Sequence, residues 1–423
     1  MLRKILVGSL LIAIALGIST ITIPAMEKGK TDLFKQVELF SDSLAIVQTE
    51  YVDEVKPKDL IYGALKGMLS ALDPHSQFMD PDTYNELKVD TEGKFGGLGI
   101  EITIKDGLLT VVTPIQDTPA WKAGLKAKDR IVKINGELTR DITLTDAVKK
   151  LRGKPGEPVT VTILRESEHK LLDIKIVRDV IKIQDIKNPR ILSDGIGYVR
   201  LVEFRENTVA DLTTTLQKLK KEGMVALIID LRNNPGGLLD SAIGVAEKFV
   251  ERGKLIVSTK GRKSQQNMEF TGREASPLLD LPMVILINEG SASGSEIVAG
   301  ALQDYKRAII VGTKSFGKGS VQTVIPLSDG SALRLTTSKY FTPSGKVIHG
   351  NGVIPDIVVE EQQPATEDDE KEEAKGEEVF DRIDDKNKQP QVKPQDDLKS
   401  DTQLMRAVDI LKAVQIYKKI SQK

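Results

Sequence analysis

The period of the apolar residues changes several times along the chain, and each change marks a different kind of element. Ile5–Ile23 is an almost unbroken apolar run behind Arg3 and Lys4. A short positive segment followed by such a run is the pattern of an export signal, here residues 1–26. No Ala-x-Ala site closes it, and Ser19 and Ala25 are the small residues on offer. The run approaches the length of a short transmembrane helix, so an uncleaved membrane anchor is the alternative. Residues 31–91 then read as helical. Leu33, Val37, Phe40, Leu44, Ile46 and Val47 fall near helical spacing, and Leu60, Ile61, Leu65, Met68 and Leu69 follow. Pro74 marks the break after them.

Between Lys94 and Asp179 the period drops to two. Gly99–Ile104, Leu108–Val112, Asp129–Ile134, Val159–Leu164 and Leu172–Val177 read as short strands, and Leu144–Leu151 as a helix. Asp106-Gly107, Pro119-Ala120 and Asn135-Gly136 supply turns, with a helix-like Ala123–Leu125 between. From Ile181 to Glu360 strands alternate with helices, which reads as an α/β core. Its strands are Ile196–Val202, Val225–Leu231, Met283–Asn288 and Arg307–Val311, followed by a hairpin around Ser328-Asp-Gly330 that pairs Gln322–Pro326 with Ala332–Thr336. Residues 361–400 are acidic and poor in large apolar residues, as in a disordered linker. A last helix, within 401–420, carries Leu404, Val408, Leu411, Val414 and Ile416 on one side, to dock on the core or on a partner.

Composition narrows the chemistry. The 423 residues have room for two or three domains. With 60 Lys+Arg against 61 Asp+Glu, the balance gives no reason to invoke nucleic acid. There is no cysteine, so a thiol nucleophile, a disulfide and a lipidated cysteine are all excluded. The 3 histidines (His75, His169, His349) are scattered, and no metal-ligand cluster is evident, so neither metal nor cofactor is expected.

The most informative stretch is Glu289-Gly-Ser-Ala-Ser-Gly-Ser-Glu296, followed by Ser315-Phe-Gly-Lys-Gly-Ser-Val-Gln322. It puts serines on a small-residue turn between the strand-like Pro282–Asn288 and a following helix. Free N–H groups and the positive dipole end there can hold an oxyanion. A serine hydroxyl needs a base, and a lysine serves when burial keeps it neutral. Lys318, between glycines, is that lysine. Ser291, Ser293 and Ser295 compete for the nucleophile, and local sequence does not choose. The bland alternatives are a capping turn and a solvated surface lysine.

Taken together, Leu72-Asp-Pro-His-Ser-Gln-Phe78, Phe95-Gly-Gly-Leu-Gly-Ile100, Asp230-Leu-Arg-Asn-Asn-Pro-Gly-Gly237, the serine and lysine stretches and Thr342–Asp356 resemble the C-terminal processing peptidases, or tail-specific proteases. The motifs occur in family order over roughly Leu72–Asp356. The resemblance implies a crotonase/Clp-protease-like α/β protease core, an inserted PDZ-like small β-barrel domain and a helical N-terminal region. It implies the middle serine as nucleophile with the lysine 25 positions on, hence Ser293 and Lys318, and the glutamine four further, Gln322. Gly294, where the family commonly has alanine, retains its N–H as one oxyanion donor. Gly237 is the implied second donor, with Gly236 close behind. In the PDZ module, Leu98, Gly99 and Ile100 match the carboxylate loop, and Ile100–Ile104 and Leu144–Leu151 would wall a peptide groove. Arg152, at the end of that helix, is either a dipole-complementing cation or a partner for a carboxylate.

The expectation is an exported serine endopeptidase, in the periplasm or on the outer face of the cytoplasmic membrane, that binds unstructured protein C-termini and cleaves near them. The helical terminal regions offer a homodimer contact and the N-terminal segment a membrane contact. The alternatives are a non-catalytic PDZ adaptor on a protease-like scaffold and an acyl-CoA-type enzyme. Ser293 and Lys318 together argue against the first, and the export signal and PDZ module against the second.

Overall fold

The computed structural model describes residues 25–105, 107–165, 170–361 and 401–421. The expected export signal lies almost wholly outside them, and the acidic linker and His169 fall outside as well. No helix among the described residues is long and apolar enough to cross a membrane.

The chain divides at Asp80 into two units. In the first, helices Ala25–Glu50 and Pro57–Ser70 precede a short strand, Gln77–Met79. The helical reading holds up to Ser70, but the stripe on the long helix packs against little. Leu33, Phe34, Val37 and Ile46 are all more than half exposed. In the second helix Leu69 is buried, and Tyr62 packs on Phe78 with ring centroids 4.7 Å apart.

In the second unit, Pro81–Glu92 is a helix leading to a two-stranded neck. Lys94–Gly97 pairs antiparallel with Asp179–Lys182, so the inserted module enters and leaves side by side. The neck carries the module's strands to Lys182, three residues beyond the sequence expectation. Between its strands sits an antiparallel barrel-like sheet of Ile100–Lys105, Leu108–Pro114, Arg130–Ile134, Pro158–Arg165 and Lys170–Val177, with helix Leu144–Leu151 against it. Its inward positions (Leu109, Val111, Ile131, Val161, Ile163) are fully buried, as period two requires. The helix expected at Ala123–Leu125 lies earlier, at Pro119–Lys122. Pro119 presets φ for its first turn.

The core is a six-stranded sheet. Ile186–Ile191 runs antiparallel to Ile196–Leu201, and the rest are parallel in the order Ile196–Leu201, Ala226–Asp230, Met283–Ile287, Ile309–Gly312 and Ile357–Val358. The central strands Ala226–Asp230 and Met283–Ile287 are apolar up to the terminal Asp230, because both faces are covered. Leu227, Ile229, Ile285, Ile287 and Ile310 face the cluster built with helices Thr208–Lys221, Leu239–Glu247 and Gly294–Asp304. Ala226, Ile228, Val284, Leu286 and Val311 face the C-terminal helix, Thr402–Ser421. That helix docks on its own core through Leu404, Ala407 and Leu411. Ile416, expected on the docking face, is 60% exposed. The spacing 404, 407, 411 follows one helical stripe, which Ile416 leaves.

A smaller antiparallel sheet holds Met268–Thr271, Leu255–Gly261, Ala332–Phe341 and Ser320–Pro326. The Ser320–Pro326/Ala332–Phe341 hairpin is longer than expected and presents Gln322 directly across from Thr336, and Val324 across from Arg334.

Candidate active site

Two parallel strands end at the same edge of the core sheet, and each runs into a sharp turn. Met283–Ile287 leads to the serine turn and Ala226–Asp230 to the Asn233–Gly237 turn. Ser293 stands immediately before helix Gly294–Asp304 with φ +52° and ψ −109°. Such a backbone is strained for a residue with a Cβ and persists only where neighbours hold it. The holding groups are visible. Ser291 Oγ donates to Leu231 O at 2.8 Å and accepts the Asn288 N–H at 2.9 Å. Ser295 Oγ donates to Asn234 O at 2.9 Å. Ser291 and Ser295 are therefore fully buried and occupied. Ser293 alone of the three lines an open cavity of about 360 Å³, together with Lys318, Gln322, Arg334, Tyr340, Gly236 and Gly237.

The Asn233–Gly237 turn presses against the serine. A Cβ on Gly236 would lie 2.7 Å from that of Ser293, and one on Gly237 only 2.1 Å from Phe204 O. Gly237 also has φ +138°, so only glycine fits. The Gly236 N–H donates to Asn234 Oδ1 at 2.9 Å, which removes it as an oxyanion donor. The N–H groups of Gly237 and Gly294 have no acceptor among the described residues. A Cβ at Gly294 would meet Phe204 at 3.1 Å and Ala242 at 3.2 Å, so glycine at this position matches a tight local packing.

Glu296 ties the serine turn to the lysine loop. Its carboxylate, fully buried, accepts the N–H of Ser293 at 2.8 Å and of Lys318 at 2.9 Å on Oε2. Oε1 accepts the Gly317 N–H at 2.7 Å and the Ser315 hydroxyl at 2.6 Å. Burial raises its pKa from the ordinary glutamate value against these bonds, which pull the other way. The Ser-x-x-Glu spacing of a capping box is legible in the sequence and could have flagged it. Tyr340 and Arg334 carry no such local signal, because the hairpin brings them in. Burial pushes the Tyr340 phenol up to about 12, opposed by its hydrogen bond with the Ser293 side chain. The Lys318 amine is held below the ordinary lysine value, first by burial and then by the Arg334 guanidinium. Gln322 Nε2 donates to Thr336 Oγ1 at 2.8 Å and Ser320 Oγ at 3.3 Å, while its buried Oε1 has no partner among the described residues.

The second place is the groove of the inserted module, about 90 Å³, lined by Leu98, Gly99, Ile100, Phe95, Val148 and Arg152 among others. The Leu98 and Gly99 carbonyls are taken by Ala120 and Ile115 N–H at 2.8 Å each. Arg152 caps the helix end and stacks on Phe95, 4.4 Å from the ring centroid. His75 lies in the first unit, and His349 does not line the cavity of Ser293. No cluster of metal-ligating side chains exists among the described residues.

Residues 195–359 match the model of peptidase family S41, residues 110–165 that of a PDZ domain, and residues 18–83 that of the N-terminal domain of the activating protease CtpB. A carboxy-terminal-processing protease of Bartonella bacilliformis is 47% identical over 370 residues, covering 86% of this chain and 84% of that protein. The carboxy-terminal processing protease CtpB of Bacillus subtilis is 35% identical over 348 residues, covering 81% and 72%. Among solved structures, the photosystem II D1 C-terminal processing protease is similar at a TM-score of 0.44 and 32% identity, covering 76% of this chain and 92% of that one. Fold and matches define a serine peptidase with an α/β core and an inserted PDZ domain. More narrowly, the chain belongs to the C-terminal processing peptidases of family S41.

Proposed function

We propose that this C-terminal processing serine protease works by a Ser–Lys mechanism, acts outside the cytoplasm, and selects its substrates by their unstructured C-terminal tails. The observation that carries the mechanism is the shared cavity: Ser293 is the only serine of its turn to open onto it, and Lys318 and Gln322 line the same walls.

The neutral Lys318 amine takes the proton as Ser293 Oγ attacks the scissile carbonyl. The carbonyl oxygen becomes an oxyanion, received by the Gly237 and Gly294 N–H groups, which have no acceptor among the described residues. Lys318, now an ammonium, returns its proton to the departing amine, leaving an acyl-enzyme. Water then attacks the ester, with Lys318 again taking a proton and passing it back to Ser293 Oγ. The unpartnered Gln322 Oε1 is the acceptor that would orient the ammonium. Among the described residues, Lys318 Nζ makes no hydrogen bond to Ser293 or Gln322, and such contacts often tighten only with substrate bound.

The groove at Leu98–Ile100 would add the tail as an extra strand and receive its carboxylate on backbone N–H groups, with Arg152 beside it. Export rests on Arg3, Lys4 and the apolar Ile5–Ile23 run. The test is to incubate purified protein with an unstructured polypeptide and follow the products. Cleavage by wild type and none by folded Ser293→Ala supports the reading. Equal cleavage by both would defeat it, as would a cytoplasmic reporter fused after Lys30 for the export claim.

A further inference from the structure

The C-terminal helix reaches the catalytic edge of the core through one arginine. Arg232 sits at the end of strand Ala226–Asp230, just before the turn that holds Gly237. Its guanidinium is shared. Toward its own strand it donates to Asp230 Oδ1 at 3.0 Å and Oδ2 at 2.7 Å, and Asp230 also accepts the Tyr198 hydroxyl at 2.8 Å. Toward the C-terminal helix it donates to Asp401 Oδ1 at 2.9 Å, Asp401 Oδ2 at 2.7 Å and Gln403 Oε1 at 3.0 Å. Asp401 also caps the helix, accepting the Leu404 N–H at 2.9 Å. Asp230 and Gln403 are completely buried and Arg232 is 8% exposed. The sheet needs Leu404, Ala407 and Leu411 for its apolar cover, but it has no such need of this polar bracket at the helix start.

The next residues carry the bracket into the site. Asn233 adopts φ +56° and donates its N–H to Asn288 Oδ1 at 2.8 Å. Asn234 Nδ2 donates to Leu201 O at 2.9 Å, and Asn234 O accepts the Ala292 N–H at 3.0 Å. A shift of the strand end would move Gly236 and Gly237 against Ser293.

We propose that Asp401 is a positioning residue for catalysis: by gripping Arg232 it fixes the strand end from which the Gly237 turn is hung, so the C-terminal helix is part of the catalytic apparatus. The proposal rests on the oxyanion role given above to Gly237. A one-ångström misplacement near reacting groups costs about a hundredfold in rate.

The experiment uses full-length Asp401→Ala, Asp401→Asn and Lys412→Ala. Lys412 pairs with Asp194 at 3.0 Å farther along the same helix, so its loss tests docking without the bracket. Four quantities are read: kcat and KM on an unstructured peptide, the rate of Ser293 capture by a small fluorophosphonate, and hydrogen exchange at the Gly236 amide. Asp401→Ala should lower kcat and the capture rate together by roughly tenfold or more, with KM within about twofold, and speed exchange at Gly236. Asp401→Asn, which keeps one oxygen acceptor, should lose less, and it carries the test should the alanine variant fail to fold. Lys412→Ala should match wild type. A folded Asp401 variant with wild-type capture rate and Gly236 exchange would overturn the proposal, as would equal losses in Lys412→Ala. Should folded Ser293→Ala cleave the peptide like wild type, the nucleophile assignment fails, and Gly236 exchange alone then decides for or against the bracket.

Discussion

One oxygen of Glu296 accepts the main-chain N–H of Lys318 at 2.9 Å and that of Ser293 at 2.8 Å. The groups proposed as base and nucleophile are thus registered to each other through a carboxylate that touches neither side-chain function.

Glu296→Gln cannot repair the loss of charge. Each carboxylate oxygen receives two donors, so one orientation of the amide points its NH₂ at the Ser293 and Lys318 N–H groups and the other at the Gly317 N–H and the Ser315 hydroxyl. Each buried donor left unpaired costs about 1–3 kcal/mol. Both Glu296→Gln and Glu296→Ala should reduce kcat by about a hundredfold or more, at roughly 1.4 kcal/mol per tenfold. Peptide affinity for the PDZ groove, measured separately, should be unchanged. A Gln variant with wild-type kcat would show that this registration is idle.

Lys318→Arg separates a base from an electrostatic anchor. Arginine keeps the charge but stays protonated, with a pKa above about 12. The variant should be as inactive as Lys318→Ala in a peptide-cleavage assay, with circular dichroism showing both folded. Substantial activity in the arginine variant would move the base elsewhere. His349→Ala should retain cleavage, since His349 lies off the cavity.

After burial, Arg334 is the second influence that lowers the pKa of the proposed base, Lys318. As the proposed base, Lys318 has to be neutral, so kcat/KM should rise with pH through the Lys318 pKa, which burial and then Arg334 hold below the ordinary lysine value. A positive neighbour disfavours the protonated amine. Removing it in Arg334→Met raises the Lys318 pKa, so the rising limb should move to higher pH and activity near neutrality should fall. Asp90, Glu203 and Arg205 line the same cavity and are unchanged by the substitution. A full pH profile decides, and a limb that stays in place would assign the depression to burial alone.

The tail carboxylate should matter through KM. A charge-assisted hydrogen bond contributes about 1.5–3 kcal/mol, so amidating a substrate's C-terminus should raise KM by about tenfold or more. Arg152→Ala should reduce the difference between free and amidated tails if that cation faces the carboxylate. Identical rates for the two tails in wild type would remove the groove at Leu98–Ile100 from substrate selection.

The alternation of strands and helices is legible in the local pattern, because the central strands are apolar on both faces and helix periodicity is unbroken between them. That pattern also set the serine turn, the lysine loop and the glycine turn, since tight turns and close backbone approach leave few residue types. Local pattern could not choose among Ser291, Ser293 and Ser295. Their difference is which carbonyl or cavity each hydroxyl meets, and Leu231 O and Asn234 O belong to a strand end some sixty residues away in the chain. Nor could it reveal Arg334 and Tyr340 beside the site, or Asp401 against Arg232, which are brought in by sheet pairing and helix docking. Periodicity reports which face of an element is buried, whereas what that face is buried against follows from contacts between elements far apart in the chain.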